Sequence, residues 1–316
     1  MDELWSDATG CAIIAALVDP LLFNRIETNI HGKHGTPYLL QAAAMTEVSS
    51  DRLIRAIVLA GDRGPNDPLV ERFDAGGCKA LLEVNGVAML ERVLDALQHA
   101  RCIQGIAIVG PPQEQLARNS TVCTLVQEEV IDWHPPLATP SRSAFQVLET
   151  FAADQPALLT TADHPLLTAT IIDNFCTASV VQGADVCVGL APYELVQKVV
   201  PNMCKTVLRF KDGEYCGCNL FAFLTPKGRD AAQQWQQVEQ QRKSPLRVAR
   251  LLGWKAVCQY ALGQLTLAGA LAGLSKRLGL RVSAVLLEDA HAAIDVDSID
   301  DYELVQQMFA AQSVAR

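Results

Sequence analysis

Ala56-Ile-Val-Leu-Ala-Gly61-Asp-Arg63-Gly64, followed at a distance by Lys79-Ala-Leu-Leu-Glu-Val84, is the stretch that decides how this chain is read. A short β-branched run that breaks into Gly and Arg predicts a buried strand ending in a loop that cradles phosphate. Glycine lets backbone N–H groups approach an anion closely, while Arg and Lys supply positive charge. Two familiar phosphate loops are excluded. Lys79 is followed by Ala80 rather than Ser or Thr, and no G-x-G-x-x-G run follows the strand.

Outward from this stretch, strand and helix signals alternate. Strands are expected over residues 55–60, 105–109, 122–127, 157–161, 184–190, 205–210, 219–224 and 281–287. Helices are expected over 88–100, 141–153, 168–181, 226–240, 246–252 and 298–314. Ser298 is placed to cap the last helix, with Asp300 and Asp301 in its first turn. Such alternation predicts a three-layer α/β/α fold with a mixed, mostly parallel sheet, in which ligands bind beyond the carboxyl ends of the strands. Gly61, Asp163 and Asp297 each come at or shortly after an apolar strand, so topology alone gathers them at one edge.

The 316 residues are 50% hydrophobic and 19% charged, which suits a globular protein with a sizeable core. Net charge is −9, giving no basic face for non-specific nucleic-acid binding, so an anionic ligand needs a local island of cations. Ten Cys residues lack the spacing of a disulfide framework, and Met1-Asp2-Glu3 is not the start of a signal peptide; a reducing cytoplasm is expected. Cys216-x-Cys218 is the closest Cys pair, but no second pair completes a zinc site, so buried thiols are the simpler reading. The apolar stretches 11–23 and 262–274 are too short to span a bilayer. Residues 1–50, with His31 and His34 in a loop-like run, read as an extension of unknown role ahead of one domain over 51–316. Met45 heads a polar segment that resembles a second natural start.

The opening strand and loop resemble the NTP transferase (nucleotidyltransferase) superfamily, nearest in look to its MobA-like group. Four later segments fall in that family's order. Ala138-Thr139-Pro-Ser-Arg-Ser143-Ala144 resembles its base-recognition segment, and Leu158-Leu-Thr-Thr-Ala-Asp163-His-Pro165 its metal-holding strand end. Tyr215-Cys-Gly217-Cys-Asn219-Leu-Phe221 resembles its Gly-x-Asn strand, and Ile294-Asp295-Val-Asp297-Ser-Ile-Asp300-Asp301 its closing acidic motif. The chain departs from the pattern at Asp62, where the family carries a second Gly, and in lacking the family's Gly-x-Arg.

The resemblance implies a nucleotide site built from Leu59, Ala60, Gly61, Asp62, Arg63 and Gly64, with Lys79 and Arg63 sharing the phosphates and Asp62 turned outward or toward Mg²⁺. Asp163 is the leading Mg²⁺ ligand, Asp297 the second and Asp295 the reserve. Thr139 and Ser143 line the base pocket, Asn219 bonds the acceptor, and Arg242 and Lys243 receive its phosphate. Simpler roles compete at each: an Asx turn at Asp163, a helix cap at Thr139, Ser143 or Asp297, a turn at Asn219, a solvated helix end at Arg242. His164 reads as a neighbour of the metal site. The activity implied is transfer of an NMP from an NTP to a phosphorylated small molecule (a sugar phosphate, a phospho-alcohol or a molybdopterin-type acceptor), with Mg²⁺ as cofactor and a homo-oligomer left open. Two other classes compete. A glycosyltransferase on a sugar nucleotide would need its Asp-x-Asp much earlier than Asp295-x-Asp297, and a non-catalytic nucleotide module is kept in view by Asp62. Removing residues 1–44 is expected to leave a folded, active protein; an insoluble or inactive product, seen by gel filtration and assay, would place the 11–23 stretch in the core.

Overall fold

The structure, a computed structural model, describes residues 53–61, 67–73, 77–201, 203, 205–230, 232 and 254–314. The extension over 1–50, the loop residues Asp62, Arg63 and Gly64, the basic pair Arg242 and Lys243, and the expected helix 246–252 lie outside the described residues.

An eight-stranded sheet forms the centre. Strands β1 (Ile54–Leu59), β4 (Ile103–Val109), β5 (Asp132–His134), β6 (Ala157–Thr161), β7 (Val186–Pro192), β9 (Gly213–Phe223) and β10 (Val282–Leu286) run in the order β10-β7-β9-β6-β1-β4-β5, with β8 (Leu208–Phe210) paired to β9. A separate two-stranded ribbon joins β2 (Glu83–Val84) to β3 (Val87–Ala88). β1 is parallel to both β4 and β6, whereas β9 runs antiparallel between β6 and β7.

β1 is buried on both faces, which is why it reads as a continuous apolar run. Ala56 and Val58 join one core cluster, while Ile57 and Leu59 join the other. The first cluster is covered by α2 (Met89–His99), α6 (Ala169–Gln182) and α10 (Ile299–Val314); the second by α5 (Pro140–Thr150) and α9 (Leu267–Leu278). The expected three-layer α/β/α fold is therefore the one observed. Shorter helices are α1 (Pro68–Phe73), α3 (Gln113–Leu116), α4 (Ser120–Gln127), α7 (Tyr193–Val199) and α8 (Trp254–Ala261). No helix among the described residues is long and apolar enough to cross a membrane.

Several expectations are corrected. Residues 122–127 are helical, not a strand. Asn119 caps α4 by accepting from Val122 N at 2.8 Å, and this cap outweighs the β-branched character of Val122, Thr124 and Val126. The edge strand is instead β5, which the sequence reading passed over. The expected strand at 205–210 shrinks to β8, leaving Lys205 ahead of it, and the 219–224 strand lengthens backward to Gly213. The helix expected over 226–240 does begin at 226.

Between Leu190, paired with Gly217, and Val188, paired with Phe221, two steps of β7 oppose four of β9. Asn219 lies inside this bulge at φ +50, a left-handed conformation that Asn tolerates better than most residues. At the other flank, Gly110 follows β4 at φ +77, and a Cβ there would sit 2.9 Å from the Ala60 carbonyl oxygen. Gly110 thus lets β4 turn away directly against the Ala60-Gly61 segment. Gly110→Ala is expected to destabilise by about 2–4 kcal/mol, lowering Tm by roughly 4–16 °C, through backbone strain and a steric clash. Thermal unfolding followed by circular dichroism checks this; a wild-type melt would show that the first loop backs off freely.

Candidate active site

Backbone hydrogen bonds carry the sheet register past the strand ends. Ala60 N donates to Val109 O at 2.9 Å and Ala162 N to Leu59 O at 3.0 Å, aligning the residues that follow β1, β4 and β6. Asp163 comes two residues after β6. Val296 N then donates to the Asp163 carbonyl at 3.0 Å, stitching the 294–297 segment beside that strand end. Asp297 does not follow β10 directly, as the sequence suggested; a 3₁₀ turn over Ala290–Ala293 intervenes. Its backbone is fixed from the other side by α10, because Asp301 accepts from both Asp297 N and Ser298 N while the Ser298 hydroxyl accepts from Asp301 N. That reciprocal arrangement is a capping box, with Ser298 as the cap the sequence predicts.

Lys79 opens a 3₁₀ turn, Lys79–Leu81. Ala80, Leu81 and Leu82 are buried around it, so its stem is drawn inward and its side chain is 6% exposed. Its ammonium donates to Asp163 Oδ2 at 3.0 Å and to Asp297 Oδ1 at 2.5 Å. Asp163 also accepts from the Thr161 hydroxyl at 2.6 Å. Burial opposes the charge on Asp163, but the Lys79 ammonium, His164 and the Thr161 and Lys79 hydrogen bonds prevail and hold the carboxyl well below the usual carboxylate range.

A second ion pair lies alongside. Lys205, ahead of β8, donates to Asp295, whose other oxygen is 3.5 Å from the Asn219 amide nitrogen and 4.0 Å from His164 Nε2. Asp295 and Asp297 therefore serve different lysines, although they are two apart on one segment. Burial lowers the pKa of Lys205 against the pull of Asp301, Asp297 and Asp163. No local motif marks Lys205, a lone Lys between Cys204 and Thr206. The Asn219 amide also meets His164 Nε2 at 2.7 Å.

Among the residues expected at the site, Leu59 ends β1 and its carbonyl accepts from Ala162 N, one residue before Asp163, with Ala60 and Gly61 following. Thr139 caps α5 by accepting from Arg142 N at 3.3 Å, and the buried Ser143 hydroxyl accepts from Leu137 N at 2.9 Å. Both hydroxyls brace the loop entering α5. Cys216 and Cys218 are buried on the face of β9 within the first core cluster, where burial pushes the Cys216 thiol up to about 11. Among the described residues, no three His, Cys, Asp or Glu side chains group as a metal cage. Asp163 and Asp297 do converge on a single cation, the Lys79 ammonium. Two hard carboxylates sharing one cation suit Mg²⁺, which takes one or two protein carboxylates and completes its shell with water and substrate phosphate.

His164 is 1% exposed, and burial pulls its pKa down to about 4 from 6.5. The folded protein thus keeps the ring neutral while the unfolded chain takes up a proton below about pH 6.5. Stability is expected to fall as pH drops from 6.5 toward 4, by about 2–3 kcal/mol at pH 4.5. Asp163, with its folded pKa lowered, stabilises above its unfolded value of 3.8 and loses that contribution only as pH falls further, outside this window. In metal-free protein, denaturant melts of His164→Gln between pH 7 and 4.5 should decline less steeply than wild type; parallel curves would show the ring is not the source.

A profile of the family described as MobA-like NTP transferase domain matches residues 56–277. Among solved structures, a hypothetical transferase from Thermus thermophilus has a TM-score of 0.66 at 28% identity, covering 79% of this chain and 99% of its own. The 4-diphosphocytidyl-2C-methyl-D-erythritol synthase of Anaerococcus prevotii has a TM-score of 0.50 at 13% identity, covering 82% of this chain and 96% of its own, a likeness of fold. No curated protein sequence matches the chain.

Proposed function

Since this chain belongs to the MobA-like NTP transferase domain family and is a nucleotidyltransferase by that membership, we propose that it joins an NMP from an NTP to a phosphorylated small molecule and releases pyrophosphate. The observation that carries this reading is the Lys79 ammonium held between Asp163 and Asp297 beyond the carboxyl end of β6. An acceptor phosphate oxygen attacks the α-phosphorus, one P–O bond forms, and the bond to the bridging oxygen breaks with its electron pair leaving on pyrophosphate. The attacking oxygen is already anionic, so no proton need be removed. Catalysis then rests on alignment and charge neutralisation.

Lys79 supplies a point charge to the phosphates, and Arg63 is assigned to the same task from the loop after Gly61. The backbone around Ala60 and Gly61 leaves room for close approach, since among the described residues a Cβ on Gly61 would meet nothing within 4 Å. Asp163 and Asp297 would hold Mg²⁺, which when bound would offset the negative charge gathering on the transferring and departing phosphates. Thr161 keeps Asp163 oriented and ionised for that role.

A pyrophosphate-release screen of the four NTPs against a panel of phospho-sugars and phospho-alcohols tests the reading. Asp163→Ala is expected to abolish turnover with the fold retained, because the Val296 bond uses the Asp163 backbone carbonyl and no core volume is lost. Lys79→Ala should lower kcat/KM by roughly 10²–10³, about 2–4 kcal/mol of transition-state stabilisation. Wild-type turnover that survives exhaustive EDTA treatment would remove the metal from the scheme, and an unchanged Lys79→Ala enzyme would move the phosphate site elsewhere.

A further inference from the structure

The cluster contains two lysines, and the proposed transfer engages one of them. Lys79 comes from the segment after β1 and pairs with Asp163 and Asp297, whereas Lys205 comes from the segment before β8 and pairs with Asp295. The sheet order sets them on opposite flanks. β6, which carries Asp163, has β1 on one side and β9 on the other. Gly61 and the phosphate loop follow β1. Asn219, within reach of Asp295, stands on β9.

We propose that Lys205 is the residue that receives the anionic group of the acceptor, on the β9 side of Asp163, opposite the nucleotide's phosphates. This rests on the reading that the reaction is nucleotidyl transfer. Joining two phosphates brings two anions to one centre, and in-line displacement requires the attacking oxygen to stand opposite the departing pyrophosphate. A cation for each reactant, one on each flank, satisfies both demands.

The ion pair alone gives little reason for Lys205 to be there. A buried pair gains little net stability over apolar residues of similar volume, because both charges are desolvated. Asp295 has another donor close by, the Asn219 amide nitrogen at 3.5 Å. The carboxylate thus stays partnered when Lys205 turns to an incoming anion. The acceptor this flank selects is a small molecule whose phosphate, or comparable dianion, reaches a cation that is 10% exposed. A bulky group close to the phosphate would be excluded.

The test uses the full chain with Mg²⁺, titrating inorganic phosphate by calorimetry, alone and after saturation with the α,β-methylene analogues of the four NTPs tried in turn. Saturation fills the nucleotide's own phosphate positions and leaves the acceptor flank open. In Lys205→Met, phosphate binding to the saturated protein should weaken at least about tenfold while analogue affinity changes by less than about twofold; Lys205→Arg should stay within about threefold of wild type in both. The double variant Lys205→Met/Asp295→Asn removes both charges, so its melting temperature should match wild type while the phosphate loss persists. Unaltered phosphate binding in Lys205→Met and in the double variant, absence of phosphate binding in wild type, or an analogue affinity that falls as far as phosphate affinity would overturn the assignment. If wild type binds none of the analogues, the nucleotidyl reading falls, and the phosphate titration alone still decides whether Lys205 holds an anion.

Discussion

One ammonium held by two carboxylates is the constraint on which this structure depends. Lys79, Asp163 and Asp297 lie far apart in the chain, and each is delivered by a different piece of backbone. At an effective dielectric near 20, two unit charges 4 Å apart attract by about 4 kcal/mol before desolvation is counted, so misplacing any member leaves a buried charge that the fold must tolerate. The parallel centre of the sheet, the stitch from Val296 to Asp163 and the capping box of α10 each fix one member. Packing sets the geometry, and the charges then hold each other.

The same logic explains the antiparallel strand. β9 enters between β6 and β7 against the direction of both neighbours, and its bulge falls where β6 ends. A regular strand would have continued the alternation of side chains through residue 219. The bulge instead lets Asn219 reach His164 and Asp295. A local irregularity in a ladder thereby becomes a polar wall on one flank of the site, in keeping with the tendency of bulges to re-aim side chains beside functional sites.

Much of this was legible in the sequence, for identifiable reasons. β1 and β6 are short, β-branched or apolar, and buried on both faces, so composition alone marked them. Ser298 and Asp301 carry a capping signal three residues apart. Asp163 stands out because it falls shortly after such a strand, within a segment that resembles the family's metal-holding strand end. The failures are equally physical. Residues 122–127 look like a strand until Asn119 is counted as a cap, and local hydrogen bonding won over side-chain preference. Lys205 and the division of labour between Asp295 and Asp297 depend on how two distant segments pass one another, which no local pattern records. The sequence assigned Thr139 and Ser143 to a base pocket, and the structure gives both hydroxyls backbone partners at the entrance to α5.

The last helix does more than cover the core. Gln306 and Tyr302 both donate to the Glu83 carbonyl, and Gln306 accepts from Asn85 N, so α10 grips the ribbon that begins just beyond Lys79. Its first two turns therefore hold both the Asp297 backbone and the ribbon that follows Lys79. The centre therefore closes late during synthesis on the ribosome, which builds the chain from its N-terminus. A nascent chain that ends before residue 297 carries Lys79 and Asp163 without the carboxylate and helix that complete them. Prematurely terminated copies thus lack one carboxylate of the charge cluster, and they also expose the apolar surface that a missing helix would cover, the kind of surface by which chaperones and proteases triage unfinished chains.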